Sequence, residues 1–236
     1  MASWMVHLRV AEKVLQSLRE GTTNCLETEF VVGNIAPDSG IPSEDWTTFT
    51  PSTWVSHFSV LDENGVKKVE IDRFIKEYLT KEKIGGYNAC QFSFYMGYYC
   101  HLLTDMLWVD YVVNPLRLRD QENFETDRAQ TMWKWKKDWY DLDFLYLKKH
   151  PDFHTFHVYK KAVGFENVFL DFFAKDAFDN RREYITGFYL AGRDDLEREY
   201  PWLTEKQMDA FVDRAALEIV ECMEERLGLE MCYEKE

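Results

Sequence analysis

Residues 87–113 read YNACQFSFYMGYYCHLLTDMLWVDYVV, and the reading of this stretch decides the fold. Within it, Gln91–Val113 is the one long apolar stretch in the chain, yet that stretch holds Ser93, His101, Thr104, Asp105 and Asp110. Polar and charged groups spaced in that way argue against a membrane span and for a buried core helix. Phe94, Gly97, His101, Asp105 and Trp108 recur in steps of three and four, so they share one helical face. The stretch predicts a helix over Tyr87–Val113, stopped by Pro115, whose ring and missing N–H oppose continuation.

Working outward, the same period predicts helices over Trp4–Arg19, ended by Gly21, and over Val69–Leu79, followed by a break at Ile84-Gly85-Gly86. Further helices are expected over Thr126–Lys148, Phe156–Phe173 and Asp179–Ala191. The last helix has the most complete signature. Thr204 and Gln207 form a capping box, Met208, Phe211, Ala215, Ile219, Cys222 and Met223 follow at helical spacing, and Gly228 closes it. Residues 22–65 read as a long connection holding GNIAPDSG, IPSEDW and PSTWVSHF, with a turn at DENG; loops of that length in compact domains tend to carry function. No segment alternates with period two. The expected architecture is all-α, a single-domain multi-helix bundle spanning 1–236.

Composition narrows the function classes. Hydrophobic residues at 46% and aromatics at 16% supply a sizeable core. The net charge of −14 repels nucleic acid and anionic lipid at long range, so no nucleic acid partner is expected. It leaves room for a small anionic ligand held by metal ions, because bound cations reverse the local field. The five cysteines, Cys25, Cys90, Cys100, Cys222 and Cys232, include no CxxC pair. They read as reduced thiols of a cytoplasmic protein. The first twenty residues have no uninterrupted apolar core after a basic start, so a signal peptide is not expected, nor any transmembrane segment.

His101 and Asp105, at i and i+4, stack two good zinc ligands on one face. Taken alone, such a pair is more often a core histidine hydrogen-bonded to a carboxylate. Here Asp105 sits among Leu102, Leu103, Met106 and Leu107, where a lone charge is costly, and Gly97 removes bulk one turn earlier. His7 lies on the apolar stripe of the first helix, Asp38 in a natural Pro-Asp-Ser-Gly turn, and His57 between Ser56 and Phe58. Each is ambiguous by itself. The HPDFHTFH run at 150–157 reads as surface, and the aromatic runs FSFYMGYY and WKWKKDWY as core and not as base-stacking platforms. Trp4 reads as core packing. There is no Gly-rich phosphate loop, no GxSxG elbow, and no cysteine–histidine dyad spacing.

The order of these residues carries a resemblance. His7, then GNIAPD ending at Asp38, then His57-Phe58, then GYYCHLLTD with His101 and Asp105, resembles the zinc-dependent phospholipase C family and its relatives, the single-strand-specific zinc nucleases. The resemblance implies an all-helical bundle and a Zn²⁺ site made by Asp38, His57, His101 and Asp105. His7 matches a ligand of a second ion that Asp105 bridges, and Asp38 matches a candidate general base. Two such ions, about 3.5–4 Å apart, clamp a phosphate ester. The implied activity is that of a phosphoesterase acting on a phospholipid headgroup or another small phosphate ester. There are departures. Secreted members bind metal through an N-terminal tryptophan, whereas Trp4 is internal here. They also add two histidines and a carboxylate after the HxxxD pair, whereas no histidine occurs between His101 and His150. Asp110, Asp138, Asp141 and Asp143 are the substitutes on offer for a third site. That gap keeps open two rivals: a non-catalytic metal-stabilised bundle acting as an interaction or sensor protein, and a metal-free relic. Oligomeric state is not read from the sequence.

Overall fold

The computed structural model describes residues 1–20, 24–45, 47–63 and 65–229. Gly21, Trp46, Asn64 and Cys232, which figure in the expectations above, lie outside them. The fold is all-α: α1 (Trp4–Glu20), α2 (Glu27–Ile35) with a 3-10 turn at Ala36–Asp38, α3 (Thr53–Ser56), α4 (Ile71–Tyr78), α5 (Lys81–Gly86), α6 (Ala89–Trp108), α7 (Asn114–Arg119), α8 (Gln121–Thr126), α9 (Arg128–Lys149), α10 (His154–Lys161), α11 (Ala177–Leu190) and α12 (Glu205–Leu227). Two small antiparallel hairpins, β1 (Ile41–Pro42) with β2 (Phe49–Thr50) and β3 (Ser59–Leu61) with β4 (Lys67–Val69), decorate the connection between α2 and α4. The DENG turn is closed by hydrogen bonds between Asp62 and Gly65 and between Asp62 and Val66.

α6 is the central rod, buried on nearly all sides. It starts with an Asn88–Gln91 capping box, which satisfies two of the free N–H groups of its first turn. α1 packs against α2, α6, α10 and α12, burying Met5, Leu8, Val14 and Leu18 completely. α12 behaves as its residues predict, with the Thr204–Gln207 box at its start and Gly228 left-handed at its end.

Three expectations are corrected. First, residues 27–35 are helix and not connection. α2 lacks a side-chain cap, and Gly33 and Asn34 look like helix breakers. Gly33 instead faces the Phe94 carbonyl so closely that a Cβ would collide with it, and Gly97 faces the Phe30 carbonyl in the same way. The two glycines let α2 and α6 approach backbone to backbone. Second, Pro115 does not stop the helical path. Residues 109–113 widen into a π turn, and Pro115 falls in the first turn of α7, where its missing N–H costs nothing. Third, the helix expected over Phe156–Phe173 ends at Lys161. Gly164 takes a positive φ of 74°, and Phe165, Phe169 and Phe173 continue as loop packed on Phe178 or on each other.

Candidate metal centre

The α2–α6 crossing builds the site from the inside. α2 ends with carbonyls that have no partner further along the helix. One of them, Asn34 O, lies 2.7 Å from His101 Nδ1 on α6. A carbonyl only accepts, so Nδ1 carries the proton and Nε2 presents its lone pair inward, the tautomer of a metal-binding imidazole. Burial, followed by the neighbouring His7, pushes the His101 pKa down to about 3 although Asp105 pulls the other way. The ring is therefore neutral at physiological pH.

One turn on, Asp105 is buried with its two oxygens facing different partners. Oδ2 lies 3.7 Å from Nε2 of both His57 and His101. Oδ1 lies 3.4 Å from His7 Nε2 and accepts the Ala2 N–H at 2.8 Å, with the Met1 amino group at 3.9 Å. The ring of His7 stacks on that of His101, centroids 3.8 Å apart and nearly parallel. Asp38 arrives on the 3-10 turn after α2, and His57 directly after α3. Asp38 Oδ1 is 3.3 Å from His57 Nε2, which is also 3.3 Å from His101 Nε2. Ser56 Oγ sits 3.0 Å from His57 Nδ1, and the Tyr98 hydroxyl fixes the Ser56 carbonyl. Burial opposes ionisation of both carboxyls. For Asp38 it is outweighed by the His57 hydrogen bond and the surrounding imidazoles, and for Asp105 by the Met1 amino group and His7. Both are held well below the usual carboxylate range.

The structure thus gathers all five residues singled out above, in two overlapping groups: His7, His101 and Asp105, and Asp38, His57 and His101. The donor set fits a divalent cation on two counts. In a tetrahedral zinc shell with bonds of about 2.0–2.1 Å, ligand atoms stand about 3.3–3.4 Å apart, close to the 3.3 and 3.7 Å separations among Asp38, His57, His101 and Asp105. Moreover, His7 Nδ1 is fully buried without a hydrogen bond, and Nε2 has only the 3.4 Å approach of Asp105 Oδ1 among the described residues, an arrangement that costs free energy unless another group engages the ring.

The other candidates do other work. Asp138 and Asp141 are bound by Arg198, with Arg193 and Lys137 also on Asp141. Asp143 accepts from Ser3 and Tyr189, and the exposed Asp110 from Asn114. His154 pairs with Glu27 and His157 with the Pro151 carbonyl, both at the surface. Trp4 packs edge-on against Tyr184, Phe188 and Tyr189. Cys25, Cys90, Cys100 and Cys222 are free thiols, and burial pushes Cys25 up to about 11 and Cys100 to about 12. No described helix is long and apolar enough to cross a membrane.

Beside the centre opens a cavity of about 630 Å³ lined by Asp38 together with Trp133 and Lys136 of α9 and Arg181 and Tyr184 of α11. These wall residues escape a reading of the sequence. Trp133 is 66% exposed, so the WKWKKDWY run is core at Trp135 and Trp139 only. One signal for it was present, since Trp133 falls two positions from Trp135 and so cannot share its helical face.

Fold and cluster together define an all-helical protein with a zinc-type donor set buried at the crossing of two helices. Residues 6–113 match the family model of zinc dependent phospholipase C. The segment that supplies all five gathered residues is therefore similar to the zinc-dependent phospholipase C family. No match was found among curated proteins or among solved structures.

Proposed function

We propose that the protein is a metal-dependent phosphoesterase whose centre holds two zinc ions, one on Asp38, His57, His101 and Asp105 and the other on His7 with Asp105 shared. The observation that carries this reading is the convergence of three imidazoles and two ionised carboxylates at ligand spacing in a buried site that opens into a cavity. The substrate class is a phospholipid headgroup or another small phosphate ester. Divalent ions held there supply positive charge to the phosphoryl oxygens and make water a stronger nucleophile near neutral pH. The chain's own residues do the rest. His101 is kept in the ligand tautomer by Asn34. Asp38 is ionised, lines the cavity, and serves as the proton acceptor for the attacking water.

The proposal extends the family segment into one domain over 1–236, because α1 packs against both α6 and α12. A cytoplasmic setting fits the four free thiols among the described residues. A second reading, a metal-stabilised bundle without turnover, draws on one observation: Asp138 and Asp141, the carboxylates offered for a third site, are already neutralised by arginines. Elemental analysis followed by assays on generic phosphodiesters and phosphomonoesters separates the two. The phosphoesterase reading expects bound zinc, turnover that a chelator abolishes and metal restores, and a rate that rises with pH through the neutral range. Bound zinc with no turnover of either ester class would leave the second reading.

A further inference from the structure

The chain carries a net charge of −14, yet the cavity beside the centre has the opposite local balance. Its lining holds one carboxylate, Asp38, and three cationic side chains, Lys136, Arg181 and Arg193. Lys67 adds a fourth at the rim, donating to Thr53 Oγ1, itself a lining residue. The arginines are engaged. Arg193 pairs with Asp141 at 2.6 Å, and Arg181 donates to the Gly40 carbonyl at 2.6 Å. Lys136 is different. Among the described residues its ammonium has no hydrogen bond and no ion pair, and it lies 5.3 Å over the ring of Trp133. It is half-buried, and burial lowers its pKa while the charge of Asp38 pulls the other way. A partly desolvated cation without a partner, on the wall of a cavity, is a group that gains from an incoming anion.

The aromatic rings of the same wall could suggest the opposite ligand, since indole and phenol faces attract quaternary ammonium groups. Three of those faces are already taken. Lys136 covers Trp133, and Arg181 lies 6.0 Å over Trp4 and 5.5 Å over Tyr184. A trimethylammonium group entering here meets like charge, which disfavours it more than a ring face favours it.

We infer that this cavity selects phosphate esters whose second substituent is also anionic and rejects those bearing a quaternary ammonium, with Lys136 as the residue that reads the difference. The inference rests on the phosphoester reading of the adjoining centre and gives it a substrate class. The probes are phosphoglycolate and phosphocholine, which share a phosphomonoester and differ in the charge of the second group. Titrated calorimetrically into the full chain as purified, phosphoglycolate should bind about tenfold or more tightly than phosphocholine, the effect of one partly desolvated charge contact. Lys136→Gln should bring the ratio close to one, Lys136→Glu should invert it, and Lys136→Arg should keep it, with all three melting near the wild type. Equal affinities, a preference for phosphocholine, binding of neither probe, or a ratio that survives Lys136→Gln would each overturn the inference. Binding is read here, and turnover is not. A chain that hydrolyses no phosphoester but keeps this preference defeats the hydrolase reading alone, whereas hydrolysis with phosphocholine favoured defeats the selectivity alone.

Discussion

Two groups of buried aspartates lie in this molecule, and they are satisfied in opposite ways. Asp138 and Asp141 on α9 meet guanidinium groups at 2.5 to 2.8 Å, with Arg198 spanning both, Arg193 and Lys137 on Asp141, and the Trp202 N–H on Asp138. Asp38 and Asp105 meet imidazoles at 3.3 to 3.7 Å, and one of those rings, His101, is held neutral. Arginine is permanently charged and forks onto carboxylates, so it closes such a group electrostatically. A neutral imidazole supplies a lone pair and no charge. The first arrangement is finished by protein alone, whereas the second has the composition of a shell that a cation completes.

The largest expected effect tests the closed group. Arg198→Ala should destabilise the fold by about 3–5 kcal/mol, because it leaves Asp138 and part of Asp141 buried without their charge partner, and should leave zinc content unchanged. Loss of zinc in that variant would mean that the two groups are not separate. The open group should respond to the cation itself. Chelation should lower the melting temperature of the wild type, by the equivalent of about 4 kcal/mol if free metal stood near a thousand times its dissociation constant. His101→Ala, already stripped of most metal, should show almost no further drop. An equal drop in both proteins would remove His101 from the site.

A smaller effect concerns the crossing that shapes the open group. Gly97→Ala places a methyl against the Phe30 carbonyl and should cost about 1–3 kcal/mol in urea unfolding. Because it shifts α2 from α6, it should also loosen the hold of Asn34 on His101 and weaken zinc binding. A destabilised variant with wild-type zinc affinity would detach the crossing from the site.

How much of this is legible in the sequence follows from which forces are local. α12 carries its own caps and period, so it reads correctly residue by residue. α2 does not, because its helicity depends on contact with α6, 67 residues away at the Asn34–His101 hydrogen bond, and its glycine has its meaning only there. His101 and Asp105 are legible because a helix fixes their spacing. His7, Asp38 and His57 are individually mute, and their convergence on that pair shows in the sequence only through the order of motifs that resembles the zinc-dependent phospholipase C family. Of the cavity wall, only the outward placement of Trp133 is legible. Lys136 and Arg181 sit on separate helices in ordinary amphipathic company, and nothing within either segment marks them as neighbours of Asp38.

A pH-dependent effect sharpens the comparison from a third carboxylate. Asp143 is buried and, among the described residues, accepts only from the hydroxyls of Ser3 and Tyr189; no arginine or imidazole hydrogen-bonds it, and burial, outweighing those hydroxyls and the charges of Arg9 and Arg193, pushes its pKa up to about 7. In the unfolded chain the same group ionises near about 3.9. Between those values the folded state binds the extra proton, so this residue's contribution to stability declines as pH rises. Asp143→Asn should remove the decline. Relative to wild type, the variant should be more stable at about pH 7.5 than at about pH 5. A pH-independent difference would mean that Asp143 is ionised throughout.

Asp105 turns one oxygen toward His7 and the other toward His57 and His101, and a rigid carboxylate cannot tilt for one side without tilting for the other. With the two ions proposed above in place, occupancy on the two sides would therefore be thermodynamically linked. Whatever factor an ion on the His57 side contributes to affinity on the His7 side is returned in full in the opposite direction. Loading would follow a single coupled isotherm in place of two independent ones, and partially loaded protein would be scarce or abundant according to the sign of that one coupling term.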